Sequence, residues 1–493
     1  MSKFNQKNTN KTVNREGFPA YKMEDRDQLV TAVLTTMFGE SKFYGSTDGD
    51  IFVLATIIAE NDPGFLCKLA CYARNEFNMR SVSHVLACII AHDAREYTRA
   101  TIRNIIVRPD DITEIMACYL QMYGKPFPNA LKKEIAVQIQ KFDEYKLAKY
   151  DSRHMSMKFR DVLRITHPTP KDKQTEELFR KVLDDTLETP YTWETELSEK
   201  GNTKEVWDEL IASGKVGYMA LLRNMRNIIK SGADIDPVLE VIADEERVKK
   251  SRQLPFRFYS AYKMLEYDNL MTPEIHRALE KALTYSLQNM EIIPGRTLIA
   301  VDVSGSMTYP ISRKSSVKCM DIAALLGAMA SHICEDATVC YFDYAEKWSC
   351  LPGELGYMIK HYGKYDSILE ICRNSDFNGG GTQMNLPMLY ALNDDKTARI
   401  RPFDRVIYFS DNMCNYSTNG LRSVQGHIDK YREKYNPDFW VHGVDLQGYG
   451  TQQFCGKRFN LIAGWSEKVL DFILLAERGT GTLIQAIEDY EIK

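Results

Sequence analysis

The hydrophobic period of this chain changes once, near Gly295, and this change constrains the fold more than any other feature. From about Arg26 to Gln288, apolar residues recur at the i, i+3, i+4 and i+7 spacing of amphipathic helices. After Gly295, short β-rich runs that are apolar on both faces alternate with helical stretches. A chain of 493 residues is also too long for one hydrophobic core. The sequence therefore predicts two parts of different structural class.

The first part is predicted to be helical almost throughout. Its clearest segments are DQLVTAVLTTMF, GDIFVLATIIAE, PGFLCKLACYARNEF, RDVLRITH, KVGYMALLRNMRNII and PEIHRALEKALTYSLQ. Short Gly, Pro, Asn or Asp separators between such segments favour antiparallel helix pairs, stacked as in an α-solenoid. The sequence itself shows no clean repeat period.

The second part is predicted to be a doubly wound, Rossmann-like α/β sheet. Five β-rich runs are candidate parallel strands, at residues 297–303, 337–343, 404–411, 438–445 and 459–464. Helical stretches lie between them, for example at 317–333 and 421–435. Residues 291–296 are interpreted as the short junction between the two parts.

Composition restricts where a polyanion could bind. The net charge is −4, and residues 1–290 carry 42 basic and 42 acidic side chains, so a nucleic-acid site has to be a local patch. No apolar run reaches the roughly 20 residues of a membrane helix, and the polar N-terminus lacks the apolar core of a secretory signal. None of the eleven cysteines forms a Cys-x-x-Cys pair. We therefore expect reduced thiols and a cytoplasmic protein.

Oxygen-bearing side chains follow three of the predicted strands. Asp302, Ser304 and Ser306 come directly after the first strand, Thr382 follows three glycines, and Asp411 ends the strand at 404–411. Ligands of doubly wound sheets bind at the carboxyl ends of the strands, and hard oxygen donors suit Mg²⁺. The set resembles the metal site of von Willebrand A domains, so we expect a divalent cation, Mg²⁺ first, held by these five residues.

Two other interpretations of these residues stay open. The aspartates could cap helices while the serines satisfy backbone groups. A metal-activated hydrolase is the second alternative, but no paired catalytic carboxylates, Walker loop, nucleophile elbow or HExxH motif is present. We expect a protein that is not an enzyme.

A local excess of positive charge lies in the helical part. Residues 125–167 contain ten Lys or Arg against five Asp or Glu, with Tyr145, Tyr150 and Phe159 interleaved. Phosphate attraction beside aromatic surfaces is typical of single-stranded RNA binding. A solvated helix face is the alternative explanation of such a charge run.

Several blocks occur in the order seen in the Ro ribonucleoprotein family, whose members carry a TROVE domain followed by a von Willebrand A domain. They are VNREGFPAY, LACYARNEFNMR, KLAKYDSRHMSMKFRDVLRITHP, MALLRNMRNI, LPFRFYSAYKML and LIAVDVSGSM. The chain is similar to this family over most of residues 13–480 and resembles its bacterial or phage-type members.

The resemblance implies a monomeric ring of HEAT-like helical repeats closed by the metal-binding domain. It also implies a small noncoding Y-like RNA on a basic outer surface and single-stranded 3′ ends of misfolded RNA in the central hole. A role as a scaffold in RNA quality control, with a 3′ to 5′ exoribonuclease as partner, belongs to the same expectation.

Carried onto this chain, the family's RNA-contacting positions are Lys149, Arg153 and His167. The further candidates are Lys146, Arg160 and Arg164 in the charged run and Arg74 and Arg80 in ARNEFNMR. The stretch between Arg153 and Asp161 is one residue longer than the family pattern. Structural alternatives remain: His167 could cap a helix, Arg153 could pair with Asp151 or Asp161, and Arg74 and Arg80 could pair with Glu76.

The resulting domain prediction has four parts. Residues 1–22 form a flexible N-terminal segment, 23–290 the helical TROVE domain, 296–480 the von Willebrand A-like domain, and 481–493 a C-terminal helix or tail. The competing functional hypothesis is a metal-dependent protein-interaction module that recruits an acidic partner without RNA.

Overall fold

The structure is a computed structural model that describes most of the chain. The described residues are 11–36, 42, 46–151, 156–287, 290–313, 315–344, 356–363, 366–373, 380–393, 395–415, 423–479 and 481–492. Within them, no helix has the length and apolar character that a membrane crossing requires.

Seventeen helices precede the α/β sheet in the described residues. They are Asp25–Leu34 (α1), Asp48–Asn61 (α2), Pro63–Asn75 (α3), Arg80–Asp93 (α4), Thr98–Ile105 (α5), Pro109–Tyr123 (α6), Asn129–Gln138 (α7), Glu144–Tyr150 (α8), Phe159–Thr166 (α9), Lys173–Asp184 (α10), Trp193–Lys200 (α11), Lys204–Ala212 (α12), Tyr218–Ser231 (α13), Asp236–Ile242 (α14), Glu245–Ser251 (α15), Pro255–Tyr267 (α16) and Pro273–Leu287 (α17). All six helical segments named from the sequence contain a helix, so the prediction of a helical first part is confirmed.

Local signals in the sequence set the ends of these helices. Asp62 caps α3 by accepting a hydrogen bond from the Phe65 amide, and Pro63 occupies the first turn, where no amide donor is needed. At the other end of a helix, Gly232 terminates α13 with φ 79°, a conformation that favours glycine. Helices close in the chain then pack through their apolar faces, α3 against α4 and α4 against α6.

The described chain divides into two compact units. One unit contains residues up to 47 together with 203–486, and the other contains 48–202 together with 487–493. Helices α12 to α17 thus group with the α/β sheet, although they share the helical period of the preceding residues. The predicted domain boundaries at 290 and 296 follow the change from helices to strands. The boundary between the two compact units lies earlier, between residues 202 and 203.

The α/β part is built on a six-stranded sheet. Its strands are Ile293–Asp302 (β3), Cys334–Phe342 (β4), Tyr357–Lys360 (β5), Arg405–Ser410 (β6), Trp440–Asp445 (β7) and Phe459–Ala463 (β9), in the order β5-β4-β3-β6-β7-β9. The helices that accompany the sheet are Cys319–Ile333 (α18), Ile368–Arg373 (α19), Leu386–Asn393 (α20), Asp395–Ile400 (α21), Val424–Lys434 (α22), Asp471–Glu477 (α23) and Leu483–Glu488 (α24). All pairs are parallel except β4 with β5, which confirms the predicted Rossmann-like fold.

Burial on both faces explains why these strands are apolar throughout. Every residue from Thr297 to Asp302 is buried, and so is every residue of β6. The predicted junction at 291–296 needs a correction, because β3 already begins at Ile293, whose side chain is fully buried.

The N-terminal residues form part of the α/β unit. Lys11–Val13 (β1) and Pro19–Lys22 (β2) pair with each other, and β2 pairs with Thr451–Gln452 (β8). The Asn14 side chain donates a 2.7 Å hydrogen bond to the Cys414 carbonyl, and Met23 is buried in the core of the sheet. The expected flexible segment is therefore wrong for residues 11–22. Its polar sequence concealed this because the residues that pair with it lie some 400 positions away.

The end of the chain contains the predicted helix and a packed tail. Helix α24 occupies the expected 481–493 segment. In the smaller unit, Lys68 donates a hydrogen bond to the Glu488 carbonyl, and the Tyr490 ring packs edge-on against Tyr72 at 5.5 Å. These contacts fix the tail against α3.

Candidate metal centre and nucleic-acid interface

Four aspartates lie at the carboxyl ends of four adjacent strands. Asp302 ends β3 and Asp445 ends β7, while Asp343 and Asp411 directly follow β4 and β6. Because these strands are parallel neighbours, their carboxyl ends meet at one edge of the sheet. All four residues have no solvent-exposed surface.

Backbone hydrogen bonds join the three loops that carry the predicted ligands. The Gly305 amide donates to the Gly380 carbonyl at 2.8 Å, and a Cβ at Gly305 would lie only 3.2 Å from that oxygen. The Thr382 amide donates to Asn415 Oδ1 at 2.7 Å, which connects its loop to the loop after β6. Glycine at 305 and 381 permits these approaches, since a Cβ at Gly381 would lie 2.6 Å from the Asn415 side chain.

The oxygen donors of the first loop lie close together. Ser304 Oγ and Ser306 Oγ are 3.4 Å apart. The Ser304 amide donates to Asp302 Oδ1 at 3.0 Å, and the Ser410 hydroxyl donates to Asp302 Oδ2 at 2.6 Å. Asp302 is thus held in place by its neighbours through both carboxylate oxygens.

Burial makes the negative charge at this edge unfavourable without a cation. It raises the pKa of Asp302 to about 6, and the charge of Asp343 adds to the rise. Burial, followed by the charge of Asp302, also raises the pKa of Asp411 well above its usual value. Ionised carboxylates in such a site require a compensating positive charge.

One carboxylate oxygen of Asp411 is not accounted for by hydrogen bonds among the described residues. Its Oδ1 accepts a 3.0 Å hydrogen bond from the Met413 amide, and its buried Oδ2 forms no hydrogen bond of normal geometry among the described residues. The Ser306 hydroxyl lies near enough to the carboxylate to favour its charged form and so to oppose the rise of its pKa. The capping interpretation therefore accounts for one oxygen of Asp411 and leaves the other unexplained. A divalent cation fits this unsatisfied oxygen and the neighbouring hydroxyls.

The donor set restricts which cation fits. No three His, Cys, Asp or Glu side chains form a metal-binding cluster in the described part of the chain. A cation here would have to use hydroxyl oxygens and water beside the carboxylates, which suits Mg²⁺ better than Zn²⁺.

Sequence analysis missed three members of this edge, Ser410, Asp343 and Asp445. Asp445 Oδ1 accepts hydrogen bonds from the Gln447 and Gly448 amides, and its Oδ2 is buried with no partner among the described residues. A signal was present, because WVHGVD ends in aspartate after a buried strand, as LIAVD does.

The basic run forms exposed faces of two short helices. Lys146 and Lys149 are exposed on α8, and Arg164 is exposed on α9. Lys146 lies 3.2 Å from Asp143 Oδ2, and Arg160 lies 3.9 Å from Asp185 Oδ2, both as exposed pairs. Both helices pack against α6, so they belong to one packed group of helices. The four side chains, Lys146, Lys149, Arg160 and Arg164, thus lie on the same compact unit.

His167 and Arg153 have different outcomes. His167 caps the end of α9 in the left-handed conformation, with φ 45°, and its side chain is exposed. The backbone of His167 thus ends the helix, as the capping alternative states, while its imidazole is exposed and can contact RNA. Arg153 lies outside the described residues. Of its two proposed partners, Asp161 already accepts a 3.0 Å hydrogen bond from the Lys158 amide.

Arg74 and Arg80 belong to an internal ion-pair network. Arg74 lies 3.1 Å and Arg80 2.6 Å from the carboxylate of Asp111, which is fully buried. Asp110, Glu114 and His84 belong to the same network. The Arg74 side chain is only 8% exposed, which argues against its expected RNA contact, and both arginines pair with Asp111.

Comparison with known proteins follows the same two-part division. Residues 23–186 and 184–294 match the family model of the TROVE domain. Residues 296–441 match the model of the Ro60 vWA domain.

Individual relatives are more distant. Telomerase protein component 1 of Rattus norvegicus is 24% identical over 334 residues, and that of Mus musculus is 24% identical over 313 residues. These alignments cover 49% and 45% of this chain but only 13% and 12% of the curated relatives. The crystal structure of the Deinococcus radiodurans Ro (RSR) protein superposes with a TM-score of 0.59, covering 93% of this chain and all of that chain at 17% identity. This likeness supports the fold alone.

Proposed function

Because the chain belongs to the TROVE family and is a Ro-type member with a Ro60 vWA domain, we propose that it is the RNA-binding component of a ribonucleoprotein. Its finer role in this proposal is to bind a small noncoding Y-like RNA and the single-stranded 3′ ends of misfolded RNA. It acts as a scaffold and not as an enzyme, in cytoplasmic RNA quality control with a 3′ to 5′ exoribonuclease as partner.

The exposed cations of α8 and α9 are the observation that carries the RNA proposal. Lys149 and Arg164 are exposed, and no described carboxylate pairs with either of them. Tyr150 lies beside Lys149, whose ammonium is 5.8 Å from the centre of its ring, and the Arg108 guanidinium lies 4.7 Å from the same ring. Cations that pair with no carboxylate, next to an aromatic ring, suit phosphate contacts and base stacking.

A divalent cation at the sheet edge is the second element of the proposal. Asp302, Ser304, Ser306, Thr382 and Asp411 would hold it, and Mg²⁺ is the expected ion. When bound, it supplies positive charge to buried carboxylates and a coordination position for an oxygen of a partner. The unsatisfied Oδ2 of Asp411 supports this assignment.

Salt dependence of RNA affinity tests the function. We expect the dissociation constant for a small structured RNA with a single-stranded 3′ tail to rise steeply with salt, because binding releases counterions from the phosphates. The double variant Lys149→Ala/Arg164→Ala should reduce the slope of log K against log salt by about one for each lost contact. Lys200→Ala is the matched control, since Lys200 is an exposed lysine of the same unit paired with Glu196 at 2.7 Å.

The result that would overturn the proposal is equally specific. A wild-type protein without measurable RNA affinity at low salt refutes RNA binding. A double variant with unchanged slope and affinity refutes the assignment to α8 and α9.

A metal-dependent protein-interaction module is the second candidate function. The observation that favours it is the unpartnered Asp411 Oδ2 beside hydroxyls, a site that can present a cation to a carboxylate of an acidic partner. Pull-down of partner proteins with and without EDTA tests it. Partners retained equally by wild type and Asp302→Ala would exclude it.

A further inference from the structure

The larger unit contains a concave cavity beyond the sites described above. Residues of helices α13 and α16, together with Ser312 and Ser315, line a cavity with a volume of about 470 Å³. That size lies within the range of roughly 300–1,000 Å³ typical of small-molecule sites. These two serines follow the segment that carries Ser304 and Ser306, so this cavity adjoins the α/β domain without using its predicted metal ligands.

Positive charge dominates the polar part of the wall. Arg223, Arg226 and Arg257 line the cavity, and none of the residues that line it is acidic. Arg226 lies 3.8 Å from Asp268, but Lys230 lies closer to the same carboxylate, at 2.5 Å. Within the part of the chain that the structure describes, Arg223 and Arg257 pair with no carboxylate.

Arg223 and Arg257 are both exposed residues, and their like charges are close enough to interact. Burial lowers the pKa of the Arg257 guanidinium, and the charge of Arg223 lowers it further. The guanidinium of Arg257 lies 4.8 Å from the centre of the Phe256 ring, which itself packs edge-on against Trp465. Two guanidinium groups that lie near each other with no carboxylate partner are typical of a site that binds an anion.

The rest of the wall suits a flat apolar group. Met219, Leu222, Met264 and Leu265 supply apolar surface, and the hydroxyls of Ser260 and Ser312 supply polar contacts. Methionine side chains adapt to irregular shapes and make favourable contacts with aromatic rings. The cavity thus combines an anion-binding wall with a surface for an aromatic ring.

Packing keeps this wall in place. Lys263 on α16 forms an ion pair with Asp321 on α18 at 2.9 Å, which ties α16 to the α/β sheet. Tyr259 lies 3.5 Å from the same carboxylate. These contacts hold α16, the helix that carries Arg257, against α18.

We propose that this cavity binds a nucleoside monophosphate unit, with the phosphate between Arg223 and Arg257 and the base against the methionine and leucine side chains. The unit comes either from a free nucleotide or from the terminal nucleotide of an RNA strand. The inference concerns a surface other than α8 and α9, so its failure leaves the RNA site there untouched.

Titration of the full-length protein with two probes tests the proposal. The first probe is AMP, and the second is a short oligoadenylate with a terminal phosphate. Arg223→Gln and Arg257→Gln should each lower the affinity for the bound probe by about tenfold to hundredfold, the effect of losing a charge-assisted hydrogen bond. Arg277→Gln should change nothing, because Arg277 is exposed on α17 and pairs with Glu274.

The two probes distinguish the two sources. Tight binding of AMP that both variants weaken identifies a free nucleotide, and weakening confined to the oligonucleotide identifies an RNA end. Without ligand, Arg223→Gln should melt no lower than wild type, because it removes a like-charge repulsion; Arg257→Gln also loses its contact with the Phe256 ring, so its effect on binding is compared at a temperature where both proteins are folded. Neither probe binding to wild type, or equal binding by wild type and both variants, overturns the proposal.

Discussion

Replacement of Asp302 by asparagine tests the metal centre through the stability of the metal-free protein. Asparagine preserves the acceptor for the Ser304 amide, and its amide group can donate to Ser410 Oγ, so the hydrogen bonds of the loop can persist. Only the charge disappears. The effect on stability therefore reports the electrostatic cost of the buried carboxylate.

The raised pKa of Asp302 sets the magnitude. Burial moves this pKa from 3.8 to about 6, and each unit corresponds to about 1.4 kcal/mol, which gives about 3 kcal/mol. A raised carboxyl pKa favours the fold at low pH, and this stability is lost as the pH rises from 3.8 to about 6. At neutral pH in EDTA, we therefore expect Asp302→Asn to be more stable than wild type, with a free energy of unfolding higher by up to about 3 kcal/mol.

Mg²⁺ should largely offset this difference. A ligand that binds only the folded state at about 100 times its Kd adds roughly 2.7 kcal/mol. Urea unfolding with and without Mg²⁺ measures the change, and Asp438→Asn is the control because Asp438 is 73% exposed and pairs with Arg458. Wild type should gain stability with Mg²⁺ and Asp302→Asn should not. Equal responses to Mg²⁺, or a less stable asparagine variant in EDTA, would refute the reasoning.

Three further predictions concern the two compact units. Burial raises the pKa of Glu477, but hydrogen bonds from His442 and Arg405 outweigh burial and hold this pKa at about 2. Lowering the pH from 4.5 to about 2 should therefore reduce the free energy of unfolding by about 3 kcal/mol, and Glu477→Gln should remove that pH dependence. Asp111→Asn should cost about 3–5 kcal/mol in urea unfolding, because buried arginine charges lose their partner. Met23→Ala should cost about 2–5 kcal/mol, whereas a flexible N-terminal segment would show no change.

Patterns within one element could be predicted from the sequence. The buried strands around LIAVDV and the amphipathic helices carry their period in adjacent residues, and the structure contains each of them. The candidate ligands Asp302 and Asp411 were identifiable because they lie at the ends of such strands, and Asp445 could have been found by the same rule.

Contacts between distant residues could not be predicted in this way. Met23 packs in the sheet core and Asn14 bonds to Cys414, yet the segment around them has no strong period. Arg74 donates a hydrogen bond to Asp111, which is 37 residues away in the sequence, so no local pattern could identify this partner. The ring closure implied by the family resemblance stays a prediction for the same reason.

Sequencing the RNA that co-purifies with the full-length protein is the most direct test of the central claim, that this chain is the RNA-binding part of a ribonucleoprotein. Recovery should be dominated by a few small structured noncoding species, and the Lys149→Ala/Arg164→Ala protein should recover much less of them. Recovered RNA that merely mirrors the total cellular pool, in equal amounts from both proteins, would contradict the account.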